Sequence, residues 1–109
     1  MEEMELHHIV LFKFTNEAPT DAIRAGAKKL ESIPGVKRVE FGHNTKSFYD
    51  EYPDRSQGFT HMLVSVMEST EALREYGPHP LHQEFKQLIL PYKKDILAMD
   101  FTAPVPASL

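Results

Sequence analysis

Apolar residues recur along this chain in two rhythms, one with the period of a strand and one with the period of a helix. The segment His8–Phe14 (HIVLFKF) is rich in β-branched and aromatic residues and apolar almost throughout, which predicts a strand covered on both faces. Asn16-Glu17-Ala18-Pro19-Thr20 then carries helix-start chemistry, with polar cap candidates beside a proline suited to a first turn. Ile23, Ala27, Leu30 and Ile33 fall on one helical face and Arg24, Lys28 and Glu31 on the other, before Pro34-Gly35 stops the run. Val36–Thr45 alternates as a second strand, with Val39 and Phe41 on one side. Gly58–Met67 (GFTHMLVSVM) is a third, again apolar on both faces. Ser69 is the expected cap of a helix running through Leu73 to Tyr76. Gly77-Pro78 interrupts it, and a second helical piece resumes near His79, setting His82, Phe85 and Ile89 on one face. Asp95–Thr102 (DILAMDFT) is the fourth strand, and Ala103–Leu109 is a proline-containing tail with little reason to be ordered alone. The stretch Lys46–Gln57 has no period. It holds Phe48, Tyr49 and Tyr52 among charges, the make-up of a surface loop that covers a pocket as a lid.

The order β-α-β-β-α-β, without repeats or linkers, predicts an α+β fold and a single domain over residues 1–109, with its core in 8–101 and a tail at 103–109. Right-handed crossovers put both helices on one side of a four-stranded antiparallel sheet, with strands one and three in the middle. On that arrangement His8, Val10, Phe12, Phe14, His61, Leu63 and Ser65 face the helices. Ile9, Leu11, Met62, Val64 and Val66 then form an apolar face that no helix of this chain covers. Such a face calls for a second sheet, so the expected partner is another copy, joined through the sheet faces.

Composition narrows the function classes. The formal charge is −4 and both signs are interspersed, so no basic face invites nucleic acid. The longest apolar run, Ile9-Val10-Leu11-Phe12, is far too short to span a membrane, and the absence of cysteine fits a reducing, cytoplasmic setting. The unusual count is histidine, six in 109 residues. His8 and His61 stand near the starts of the two central strands, and with those two strands taken as parallel both histidines come to one end. Tyr76, His79 and His82 follow one another at spacings of three, on one helical face. Together they are expected to edge an apolar pocket lined by Val10, Phe12, Leu63 and Phe85. Each histidine taken alone has an ordinary reading as a hydrogen-bonded core residue. A His-x-x-His helix beside two strand histidines also suits zinc or nickel, but no acid accompanies them at metal spacing and no metal is expected. Neither Ser47 nor Ser65 sits in a nucleophile elbow, and the glycines form no phosphate loop.

These residues resemble the stress-responsive A/B barrel domain family from about His8 to Phe101. The likeness rests on HIVLFKF, Phe41-Gly42, Gly58-Phe59-Thr60-His61, Glu68-Ser69-Thr70-Glu71-Ala72, Tyr76, His79-Pro80-Leu81-His82 and Asp100-Phe101. The resemblance implies a ferredoxin-like sandwich that dimerises into an α/β barrel. The family includes heat-stable plant stress proteins and a plant polyketide cyclase that works without metal or cofactor. That cyclase's tyrosine and histidine resemble Tyr76 and His82, and its supporting histidines resemble His8 and His61. The chain departs from the pattern in a longer Lys46–Gln57 loop, in the Gly77-Pro78 break, and in His43-Asn44 after the glycine. Two functions are therefore expected as alternatives. One is a pocket for a small hydrophobic carbonyl compound. The other is a cofactor-independent ring closure of the aldol type, with His82 as base and Tyr76 as acid.

Overall fold

A computed structural model of the chain describes residues 3–45 and 50–107. Among these, β1 (Met4–Phe14), α1 (Thr20–Lys28), β2 (Val36–His43), β3 (His61–Met67), α2 (Thr70–Tyr76), α3 (Pro80–Ile89) and β4 (Lys93–Pro104) follow in order. The sheet order is β2-β3-β1-β4 and all three pairings are antiparallel. The two doubly apolar strands are central, as their composition requires.

One face of the sheet packs on the helices. Val10, Phe12, Phe14 and Leu63 meet Ile23, Ala27, Leu30 and Ile33 of the first helical run and Tyr76, Phe85 and Ile89 of the later helices in one buried core. Each α1 contact residue sits where the 3.6-residue period puts it, and the last turn tightens into a 3-10 helix over Lys29–Ser32. Gly35 turns the chain into β2 at φ 86°, and a side chain there would strike Ala72, its Cβ 2.6 Å away. Ser69 caps α2 by accepting from the Ala72 amide. At α1 the expected cap chemistry is absent. Pro19, which has no polar side chain, occupies the cap position, so no side chain caps the helix, and the Thr20 hydroxyl bonds His61.

Several strand ends differ from the sequence reading: β2 stops at His43 rather than Thr45, β3 starts at His61 rather than Gly58, and β4 starts at Lys93 rather than Asp95. β1 begins at Met4 rather than His8, and this extension gives β4 a partner beyond Thr102. Met4 pairs with Pro104, and the Val105 amide donates to the Glu3 carbonyl at 2.9 Å, so the first part of the tail is ordered. Among the described residues, no helix packs on the other face of the sheet. Met62 is 45% exposed there and Met99 of β4 is 68% exposed. Val66, expected among these exposed residues, is buried. Its register neighbours His7 and Arg38 both reach Glu5, a carboxylate only 2% exposed, and this polar lattice closes over it. The register slips between Val36 and Arg38, which lets Lys37 join Arg38 on the same carboxylate. The hydrogen bond from Lys37, ahead of the burial that opposes it, holds Glu5 below the usual carboxylate range.

The proposed lid falls partly outside the described residues, since 46–49, with Phe48 and Tyr49, are not among them. Tyr52 is exposed, and the loop re-enters the sheet through Gln57 and Gly58, both at positive φ.

Candidate functional site

The antiparallel register decides which candidate residues meet. His8 pairs with Ser65, and His61 pairs with Phe12, four residues further along β1 and four residues back along β3. At about 3.4 Å per residue the two histidines stand roughly 14 Å apart along the sheet. The expectation that they share one end, which took the central strands as parallel, is therefore overturned. The candidates divide into two groups at opposite ends of the helix-covered face.

At one end lie His8, Tyr76 and His82. The Tyr76 ring sits 4.6 Å from the His82 ring and 5.7 Å from the His8 ring, the latter edge-on. Tyr76 is 1% exposed, and its hydroxyl is 3.1 Å from Ser65 Oγ. Gly77 breaks the helix after Tyr76 and leaves its carbonyl free, and His82 Nδ1 donates to that oxygen at 2.8 Å. A carbonyl can only accept, so the proton of neutral His82 is on Nδ1 and Nε2 carries a lone pair. Burial, ahead of the opposing Gly77 bond and the smaller effects of Lys86 and His8, holds the His82 pKa below its ordinary value. His8 is oriented in the same way from the other side, its Nδ1 bonded to the Asp100 carboxylate on β4. Asp100 is the residue that sequence reasoning missed. It stands in the Asp100-Phe101 landmark of the resemblance, but nothing in the sequence gives it a role, which comes from its place directly across from His8. Burial also raises the Tyr76 pKa, with the Ser65 bond acting against it, so the phenol stays protonated near neutrality.

At the other end lies His61. Its Nε2 bonds Thr20 Oγ1 at 2.9 Å and its Nδ1 bonds Thr60 Oγ1 at 2.7 Å. Whichever tautomer it holds, both nitrogens are committed. Its ring is wedged against Phe14 and Phe41, and burial, then His43 and Arg24, lower its pKa. His79 is separate from both groups in role. It is the N-cap of α3, accepting the Leu81 amide on Nδ1 at 3.1 Å. Val10, Phe12, Leu63 and Phe85 are all buried core residues, with Phe12 stacked on Phe14 toward the His61 end. An apolar groove of about 520 Å³ lies near His61 as well, but it is lined by Leu11, Met62 and Val64 of the opposite sheet face. No group of three or more His, Cys, Asp or Glu among the described residues is placed to hold a metal ion.

Comparison with known proteins matches residues 6–103 to the family described as the stress responsive A/B barrel domain. One stress-response A/B barrel domain-containing protein of Arabidopsis thaliana is 30% identical over 115 residues, covering all of both chains. A second, longer protein of that description from the same plant is 32% identical over 95% of this chain, which spans only 42% of that relative's length. Olivetolic acid cyclase of Cannabis sativa is 25% identical, covering 91% of this chain and 97% of the cyclase. Among solved structures, an Arabidopsis thaliana protein superimposes with a TM-score of 0.73 at 27% identity, over 95% of this chain and 99% of its own. A protein of Thermobifida fusca described as a dimeric ferredoxin-like protein does so with a TM-score of 0.72 at 23% identity, over 93% and 92%.

Proposed function

This chain belongs to the stress-responsive A/B barrel domain family, and we propose that its working site is the His8–Tyr76–His82 end, which takes a small hydrophobic compound bearing a carbonyl group. One observation carries the reading. Two imidazoles flank a buried tyrosine, and each has its Nδ1 tied back, to Asp100 or to the Gly77 carbonyl. That leaves a base nitrogen on each ring and a phenol donor between them. A ligand would enter from the β4 flank, where Asp100, directly across from His8, is exposed. Because Tyr76 is only 1% exposed, a ligand would reach its hydroxyl only after neighbouring groups move aside.

The second reading is catalytic, and the His82 tautomer favours it. His82 Nε2 takes a proton from a carbon between two carbonyls, and Tyr76 donates to the enolate oxygen that develops. The carbanion then attacks a distant carbonyl of the same molecule, forming a carbon–carbon bond and closing a ring, and the proton held by His82 goes to the new alkoxide. The relation to a protein named olivetolic acid cyclase supports this chemistry. Acid and base are both supplied by the chain, so the reading needs no cofactor. Titration with olivetolic acid, followed by ligand NMR, tests the site. Binding that weakens by about tenfold in Tyr76→Phe, in line with one lost polar contact, supports it. Equal binding by wild type and variant places the ligand elsewhere.

The uncovered sheet face is the proposed seat of a second copy. Leu11, Met62 and Val64, with Leu97 and Met99 of β4, form a continuous apolar surface, and the groove beside them would be closed by the partner. Val64→Asp would force a charge into that interface and cost several kcal/mol of association, of order 3–5. Light scattering should give a dimer for the wild type and a monomer for the variant; a monomeric wild type at micromolar concentration ends this reading.

A further inference from the structure

Ser65 is an anomaly in its stripe. On the helix-facing side of β3 its neighbours Leu63 and Met67 are buried hydrophobes, and Ser65 itself is 0% exposed. A hydroxyl in such a place costs free energy unless it is bonded. Among the described residues its Oγ has one partner, the Tyr76 hydroxyl, and it stands directly across the ladder from His8. We propose that Ser65 is a positioning residue: it donates its proton to Tyr76 Oη and thereby turns the Tyr76 proton away from the core, toward the ligand. This rests on the reading of Tyr76 as the ligand's donor.

Either hydroxyl can donate in this bond, and counting hydrogens favours Ser65 as the donor once a ligand is present. The pair holds two hydroxyl protons and one bond, so one proton is always left over. If Tyr76 donates, the spare proton sits on Ser65, fully enclosed between strand and helix with no other acceptor. If Ser65 donates, the spare proton sits on Tyr76, between the His8 and His82 rings, where a ligand carbonyl can take it. With ligand present only the second arrangement satisfies both protons, and each bond of the chain Ser65–Tyr76–ligand polarises the next. The same donated bond favours negative charge on the tyrosine oxygen, so Ser65 makes Tyr76 a stronger acid than burial alone would allow. A valine here would pack the stripe and leave Tyr76 a weaker donor.

The test reads Tyr76 directly. In protein carrying ¹³Cζ-tyrosine, the Tyr76 signal is assigned by its loss in Tyr76→Phe, and its position is followed with pH. Ser65→Ala should shift the signal at neutral pH and raise the pH of Tyr76 ionisation by about one unit or more, whereas Ser65→Thr, which keeps the hydroxyl, should restore both. An unchanged signal and ionisation in Ser65→Ala overturns the proposal. Where the folded range ends before Tyr76 ionises, melting temperatures decide. Ser65→Ala should lower it, and the double variant Ser65→Ala/Tyr76→Phe should recover part of the loss, since the buried bond is then removed with both its partners. Strict additivity overturns the pairing. Titration with olivetolic acid separates this inference from the reading it rests on. A Tyr76 signal that moves in Ser65→Ala while binding stays unchanged upholds the pairing and removes the ligand role of Tyr76. Binding that falls without any movement of the signal means Ser65 acts through packing, and the pairing fails.

Discussion

The His61 end and the His82 end of this molecule contain the same side chain in similar surroundings. Both imidazoles are half-buried beneath helices, both lean on aromatic rings, and both have their pKa pressed down chiefly by burial. Hydrogen-bond accounting is what separates them. His61 spends both nitrogens on threonines, one from the start of α1 and one from the approach to β3, so it joins a helix to the sheet. Among the described residues, His82 bonds through Nδ1 alone, to the Gly77 carbonyl at the helix break, and keeps Nε2 for something else. Burial and a shifted pKa thus mark both as candidates, but only one has chemistry left to offer.

Substitutions that break or sharpen this contrast can be ranked by size. The largest effect is expected from Phe12→Ala, which hollows the core between the two ends and removes the ring stacked on Phe14. A loss of about 3–5 kcal/mol in chemical denaturation would place Phe12 in the shared wall, and a loss under about 1 kcal/mol would mean that the ends do not share a packed core. The next effect is a reciprocal one. His82→Ala should reduce any ring-closing turnover by about two orders of magnitude or more while changing the melting temperature little. His61→Ala should do the reverse, costing about 1–3 kcal/mol because the two threonine hydroxyls lose their partner, and leaving binding of olivetolic acid intact. If both variants lose stability and neither loses binding, the two histidines are alike and the contrast disappears.

The smallest effect concerns pH. A histidine whose pKa is lower folded than unfolded contributes stability that is complete above the unfolded value, near 6.5, and is lost as pH falls below it. The melting temperature should therefore fall between about pH 7 and pH 5, and the slope should shrink in His61→Gln and in His82→Gln alike. Binding of olivetolic acid should weaken over the same range only through His82. A slope that neither variant changes would assign the acid sensitivity to other groups.

Much of this is legible in the sequence. The central strands, the buried face of α1, the Ser69 cap and the break at Gly77-Pro78 are local matters. Each is written in spacing or in a single residue's backbone chemistry. The pairing of Tyr76 with His82 is legible too, since helical spacing across a short break brings them near. The role of Thr20 is not. A threonine before a helix has the same sequence signature whether its hydroxyl caps that helix or bonds a histidine 41 positions away. Asp100 shows in the sequence only as half of a family landmark, and its bond to His8 follows from the register alone.

What the sequence determined by itself is periodic. The faces of strands and helices follow from side chains repeating every two or every 3.6 residues, and so does the apolar sheet face left without a helix. What the tertiary structure alone decided is directional. Whether His61 lies beside His8 or at the far end depends on the sense in which β3 runs past β1, and alternation looks the same read either way. The antiparallel ladder settles that, and with it which nitrogens find partners and which remain free.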